Sequence, residues 1–140
     1  MLFRSLGLSA HSYSKKTKHL EVDSFWGFRY WNPNNIQVYE NQINQGLSDL
    51  DSTQIEFLAK HQALTDFCHT SLRLEAGLRL DSVRAKFGER LANLVSKIAK
   101  PMVDKQLLSQ TNSGYGLTNE GILISNQIFE KFTFLEVDIL

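Results

Sequence analysis

MVDKQLLSQTNSGYGLTNEGILISNQIFEKF, residues 102–132, is the stretch that decides the fold. Its middle, TNSGYG, is rich in turn formers, and Gly114 and Gly116 are predicted to supply positive φ at the tip of a β-hairpin. Thr118 then follows as a good helix N-cap. The apolar side of a closing helix is predicted from the spacing of Ile122, Leu123, Ile128, Phe129 and Phe132. The stretch therefore predicts two strands and a helix.

A long helix is predicted upstream of this stretch. Ser52 and Thr53 can start it, and Glu56 stands three residues after Thr53 as a capping-box partner. Gly77 is predicted to close it. Its apolar positions fit one helix face: Ile55, Leu58, Ala59, Gln62, Phe67 and Leu72.

Two further helices are predicted between the long helix and the hairpin. Asp81 is expected to cap a short helix, LDSVRAKF, that stops at Gly88. The next helix runs from Glu89 to about Lys100, where Pro101 must kink it or begin a new segment because proline lacks the N–H of a helix interior. The order long helix, short helix, helix, hairpin, helix is that of a winged helix. The fold class predicted is mainly α (α+β), with a winged-helix-like domain carrying a small hairpin.

The first third of the chain has a different character. LFRSLGLSAHSYS, residues 2–14, is turn-prone and partly apolar, and the polar stretch KKTKHLEVD follows at 15–23. A dense aromatic cluster comes next: Phe25, Trp26, Phe28, Tyr30 and Trp31. This pattern predicts a strand end, an exposed loop and an aromatic strand or arm. Asn34 or Asn35 can then cap a helix whose apolar face carries Ile36, Tyr39 and Ile43, with Gly46 at its C′ position.

Composition narrows the classes of function. The 140 residues carry fifteen basic and fifteen acidic side chains, so a formal net charge of zero gives no general attraction to nucleic acid or to an anionic membrane. No apolar run approaches the roughly 20 residues of a membrane span. The single cysteine, Cys68, excludes a cysteine-rich metal site built by this chain alone, and His61 and His69 lack metal-ligand spacing. We expect a soluble, cytoplasmic protein without a metal site.

Three segments together resemble one family. LGLSAHSY at 6–13, followed by Arg29-Tyr30-Trp31-Asn32, is similar to the end of the catalytic barrel in oxygen-independent coproporphyrinogen III oxidases and their radical SAM haem-chaperone relatives. SLRLEAGLRL at 71–80 and GLTNEGILISNQIF at 116–129 resemble the C-terminal domain of that family. The resemblance implies that residues 1–33 are the barrel's end and a connecting arm. It also implies that residues 34–140 are a C-terminal winged-helix-like domain that covers or completes the substrate side of the barrel.

The same resemblance implies cofactors that this chain does not hold. The family binds a 4Fe–4S cluster through a C-x-x-x-C-x-x-C motif, and this cluster cleaves S-adenosylmethionine. Thiolates are the ligands such a cluster needs, and Cys68 is the only cysteine here. We therefore expect this chain to be inactive alone and to have the missing N-terminal radical SAM barrel as its partner, with porphyrin or haem bound by the parent protein. Residues 1–33 are expected to fray, to fold back, or to pair in a homodimer.

No residue of this chain is predicted to be catalytic, but five are candidates for the substrate side: His11, Ser12, Tyr13, Arg29 and Asn32. His11 with Ser12 and Tyr13 suits a nucleophile–base pair or a proton donor, because loops at the C-terminal ends of barrel strands carry chemistry. It equally suits a structural turn. The guanidinium fork of Arg29 matches a tetrapyrrole carboxylate, whereas the aromatic cluster around it suits porphyrin stacking or plain packing.

The rival function is a stand-alone winged-helix DNA-binding regulator. Basic residues outnumber acidic ones between Arg79 and Lys105, which is where a winged helix would dock on DNA. The basic positions are spread around the predicted helix instead of lining one side. This spread favours a solvated face over a nucleic-acid interface.

Overall fold

The computed structural model describes residues 10–15, 25–45 and 54–140, which form parts of two compact units, Met1–Lys60 and His61–Leu140. The boundary predicted at residue 33 concerns the parent protein and stays a prediction. The contacts of this chain divide instead at Lys60, because a strand from beyond residue 50 belongs to the first unit.

The first unit is built on a three-stranded antiparallel sheet in the order β1-β2-β3. Its strands are β1 (His11–Lys15), β2 (Gly27–Trp31) and β3 (Ile55–Leu58), and α1 (Ile36–Asn44) lies between the last two in sequence. The predicted cap of α1 is confirmed, since Asn35 Oδ1 accepts hydrogen bonds from the N–H groups of Gln37 and Val38. The predicted strand end before His11, the loop at 16–23 and the C′ role of Gly46 lie outside the described residues.

The prediction that residues 55–59 begin the long helix is wrong. Ile55, Glu56 and Phe57 pair with β2, and the helix α2 (Lys60–Leu72) starts only after the strand. The spacing of Ile55, Leu58 and Ala59 fits a helix face, but Ile55 and Phe57 also alternate as a strand requires. Pairing with the aromatic strand β2 decides between the two patterns. The capping role predicted for Ser52 and Thr53 lies outside the described residues.

The second unit has the helix and hairpin order that the sequence predicts, with additions. After α2 come β4 (Leu78–Arg79), α3 (Leu80–Phe87), α4 (Glu89–Asp104), β5 (Leu108–Gln110), β6 (Gly114–Leu117), α5 (Asn119–Leu123), α6 (Ser125–Lys131) and α7 (Glu136–Ile139). The hairpin is part of a three-stranded sheet, because β4 pairs with the free edge of β6. The α+β fold class is confirmed.

Helix ends in this unit follow the short-range signals in part. Gly88, at φ +94°, ends α3 as predicted. Asp81 does not cap α3; Arg79 precedes the helix, and Asp81 lies in its first turn, paired with Arg84. Gly77 does not close α2, which already ends at Leu72; Gly77, at φ +67°, turns the chain into β4. Pro101 begins no new element, because α4 continues through it to Asp104.

The predicted positive φ at Gly114 and Gly116 is wrong. Both glycines lie in β6, and the hairpin tip is formed by residues 111–113. The hydroxyl of Thr111 accepts a hydrogen bond from the Gly114 N–H at 3.1 Å and so replaces a glycine in shaping the turn. Gly114 is needed for another reason, because a Cβ there would run into the backbone carbonyl of Leu78 on β4.

The prediction of the closing helix is confirmed in part. Thr118 caps it by accepting from the Gly121 N–H at 3.0 Å, and Ile128, Phe129 and Phe132 are buried, all as expected. The helix breaks at Ile124, however, and Ile122 and Leu123 are 57% and 85% exposed. Gly121 is the residue that α5 turns inward, against the Leu107 carbonyl, so its two successors point away from the core.

The two β6 glycines should respond differently to alanine. Gly114→Ala places a methyl group against the backbone of β4, which cannot move without separating the strands, and we expect a loss of about 1–3 kcal/mol in the free energy of unfolding. Gly116→Ala is the matched control, since its methyl group would meet only the movable Ser109 hydroxyl at 3.3 Å. Urea unfolding followed by far-ultraviolet circular dichroism measures both. Equal midpoints for the two variants would contradict the close approach.

Candidate functional site

The two faces of the first sheet carry different kinds of side chain. Successive residues of a strand point to opposite faces, and directly paired residues share a face. His11 pairs with Trp31, Tyr13 with Arg29, and Arg29 in turn with Glu56, so these five side chains lie on one face, here called the polar face.

The opposite face is the core of the unit. Phe28, Tyr30 and Phe25 are at most 6% exposed, with Ile55 packed against them. Ser12, which pairs with Tyr30, belongs to this face and is buried. Ser12 and His11 therefore point to opposite sides of the sheet, and the structure does not form the nucleophile–base pair considered from the sequence.

An open pocket of about 390 Å³ lies at the end of the polar face. The His11 and Trp31 rings stack at its edge, with centroids 5.7 Å apart and planes inclined by 25°. Its lining is mixed aromatic, amide and apolar: His11, Trp31, Pro33, Asn34, Asn35, Val38 and Gln54. The pocket thus offers a ring surface for a flat apolar ligand and amide groups for its polar edge.

Asn32 does not line this pocket. Its backbone N–H donates to the Ala10 carbonyl at 3.0 Å and extends the β1–β2 ladder by one step. The amides beside the pocket come instead from Asn34, Asn35 and Gln54, of which Asn35 already caps α1. Sequence analysis did not single out Gln54, which reaches the pocket only because β3 pairs with β2.

Arg29 has a carboxylate partner within the sheet. Its Nε and Nη2 donate to the two carboxylate oxygens of Glu56 at 2.5 and 3.0 Å, a bidentate pair. The hydrogen bond from Arg29 lowers the pKa of Glu56 below its usual value, against the opposing effect of burial. A tetrapyrrole carboxylate would have to compete with Glu56 for this fork, so the substrate role of Arg29 stays a prediction.

Tyr13 has a packing role. Its ring occupies the space that a side chain at residue 27 would need, so the ring can pack against the backbone only because residue 27 is glycine. The pair is diagonal across β1 and β2. The substrate-side role of Tyr13 stays a prediction.

The described residues contain no group of three or more His, Cys, Asp or Glu side chains that could hold a metal ion. Cys68 is fully buried in α2, and burial raises the pKa of its thiol, so it stays protonated and unreactive. Within the same residues, no helix is long and apolar enough to cross a membrane. The arrangement suits binding or positioning of a flat ligand.

Three basic side chains of α3 and α4 are engaged with their own neighbours. Arg84 forms hydrogen bonds with Asp81 and Glu89, Lys86 lies over the Phe67 ring at 4.0 Å, and Arg90 donates to the Ile139 carbonyl. A DNA-binding face needs several cations aimed outward at phosphates. This geometry does not favour the DNA-binding rival.

Comparison with known proteins gives two matches. Residues 58–124 match the family model described as the HemN C-terminal domain. Among solved structures, the chain is similar to coproporphyrinogen III oxidase (HemN) from Escherichia coli, described as a radical SAM enzyme, with a TM-score of 0.51 and 16% sequence identity over 91% of this chain. The chain spans 27% of the length of that structure. No curated protein matches it.

The structural likeness, at this identity, shows the fold alone: an α+β chain arranged like part of that structure. The family match goes further, because it relates the stretch from the end of β3 to Ile124 to the HemN C-terminal domain. The resemblance stated from the sequence segments is thereby confirmed.

The Arg29–Glu56 pair should stabilise the first unit in a pH-dependent way. Because the pKa of Glu56 is lower in the folded state than in the unfolded chain, this stabilisation is complete above the unfolded value and is lost as pH falls through the folded value. Both side chains are more than one-third exposed, so we expect at most about 1 kcal/mol at pH 7, decreasing progressively as pH falls below about 4.

Glu56→Gln is the variant for this measurement, with Glu40→Gln, an exposed position on α1, as control. Urea unfolding followed by tryptophan fluorescence reports on the first unit alone, because both tryptophans lie in it. A Glu56→Gln deficit that is the same at pH 3.5 and pH 7 (roughly 0.8 unit below and well above the unfolded glutamate value) would contradict this assignment.

Weak DNA binding is the expected result for the second unit. With zero net charge and several cations engaged internally, few phosphate contacts are available. Titration against random-sequence duplex at low salt, followed by fluorescence anisotropy, measures this. Sub-micromolar binding with a steep salt dependence would restore the DNA-binding regulator as the better function.

Proposed function

We propose that this chain is the C-terminal part of a radical SAM protein of porphyrin or haem metabolism, and that it covers or completes the substrate side of the catalytic barrel. The HemN C-terminal domain at residues 58–124 and the fold likeness to a coproporphyrinogen III oxidase support the parent class. S-adenosylmethionine and a 4Fe–4S cluster belong to the barrel of that parent, which we place in the cytoplasm. By itself the chain is inactive.

The observation that carries the substrate-side role is the His11–Trp31 stack beside the open pocket. The two rings, inclined by 25° to each other at the edge of a pocket of about 390 Å³, present a flat, partly apolar surface. A tetrapyrrole is a flat conjugated ring with polar carboxylates at its edge. Stacking on the two rings and hydrogen bonding to Asn34 and Gln54 would satisfy both parts of such a ligand.

Coproporphyrin III binding to the 140-residue chain tests the pocket. We expect weak binding that His11→Ala and Trp31→Ala each weaken about fivefold, since loss of one aromatic contact costs about 1 kcal/mol. Trp26→Ala is the matched control, because Trp26 is exposed in the same unit but does not line the pocket. Absorbance of the porphyrin gives the affinity without relying on tryptophan. Equal losses in all three variants would indicate unspecific adhesion to exposed aromatics.

To test the proposed role in the whole protein, the reading frame of the parent must be known. If the genomic sequence upstream of Met1 encodes C-x-x-x-C-x-x-C, the full protein can be compared with a form truncated before residue 10, which lacks both the pocket and the helical unit. We expect the truncated form to keep its iron–sulfur absorbance but to lose porphyrin affinity. An upstream frame without the cysteine motif would overturn the proposed parent.

A further inference from the structure

A second concave surface lies in the helical unit. It is a groove of about 420 Å³ at the C-terminal end of α4. Ile98 and Met102 of α4 form one wall, and Ile124 and Ile128 form the other. Two exposed lysines, Lys105 and Lys131, stand at its rim. The groove is therefore apolar inside and positive at its edge.

The last residues of the same chain have the opposite character. The segment LEVDIL, residues 135–140, carries acidic side chains between apolar ones and contains no basic residue. Leu135, Val137 and Leu140 are 63–86% exposed, although large apolar side chains are seldom presented together on a free surface. Glu136, between two of them, is exposed as well. Apolar surface and negative charge occur here in the combination that the groove complements.

The segment cannot fill the groove of its own chain as it stands. Arg90, in the first turn of α4, donates a hydrogen bond to the Ile139 carbonyl and holds α7 there. The groove is at the other end of the helix, and from Arg90 to Pro101 the axis rises by roughly 16 Å. The N-terminal turn of α7 is also fixed in place, since Asp138 accepts from the Leu135 N–H at 2.8 Å.

We propose that the groove receives the 135–140 segment of a second copy of this chain, which makes the helical unit a homodimer. Apolar side chains of the segment enter the groove between α4 and α6, and Glu136 meets the lysine rim. In a two-fold arrangement each copy gives its segment and receives the other's, so the contact forms twice. Both halves of the interface are present on one chain, and neither needs the parts of the molecule that carry the proposed function.

Sedimentation of the intact 140-residue chain over a range of concentrations tests the dimer. We expect a monomer–dimer equilibrium that the paired reversal Lys105→Glu with Lys131→Glu weakens at least about tenfold, because it sets like charges against Glu136. Glu136→Lys should weaken it similarly. Lys97→Glu is the control, since Lys97 is exposed on α4 but does not line the groove.

A charge swap separates this contact from unspecific electrostatics and from misfolding. A chain carrying Lys105→Glu, Lys131→Glu and Glu136→Lys together places opposite charges across the interface again, and we expect its dimerisation to recover to within about threefold of the original. Circular dichroism confirms that each variant keeps its helices. A chain that is monomeric at all concentrations, or a dimer that all variants leave unchanged, as one formed through the edge of β1 would be, overturns the proposal.

Discussion

The second unit depends on the close approach of β6 to β4. Strand β6 is bonded on one side to β4, which leads directly into α3, and on the other to β5, which follows α4. One short strand thus fixes the start of one helix relative to the end of the next. Gly114 permits this, because only a residue without a Cβ can lie against the Leu78 carbonyl. The Tyr115 hydroxyl, 2.8 Å from Ser96 Oγ, then ties the same strand to the middle of α4.

Several short-range signals in the sequence are reliable, because the residue acts on backbone a few positions away. Thr118, Asn35 and Gly88 each act within three or four residues, and each does what its position predicts. The larger errors arise where a distant strand decides the outcome. Ile55 to Leu58 fit both helix and strand spacing, and only β2, nearly 30 residues earlier, selects the strand. Likewise the need for Gly114 comes from β4, which is invisible in the local turn pattern.

The candidate site shows the same difference between features that local sequence predicts and features that depend on strand pairing. His11 and Trp31 were identified among the resemblance segments and the aromatic cluster, and pairing of β1 with β2 brings their rings together. Ser12 was wrongly grouped with His11, because adjacent residues in a strand face opposite ways. The sequence does not predict the place of Gln54, because that residue reaches the pocket through β3, whose residues the sequence pattern predicts to be helical.

The two kinds of support for function also fall on different parts of the chain. The match to the HemN C-terminal domain begins at the last residue of β3, so it concerns the helical unit, while the stacked rings and their pocket precede it. This match does not depend on whether the pocket binds a ligand. The proposed substrate-side role, by contrast, rests on the sheet of the first unit.

Because Cys68 is buried, its reactivity can report on local opening of the helical unit. The thiol has no exposed surface and no reactive thiolate as long as α2 stays packed. A thiol reagent can therefore label the folded chain only when α2 opens, and with enough reagent the labelling rate equals the rate of that opening. Since this chain has no other cysteine, a single time course gives the opening rate of one helix without the addition of any probe.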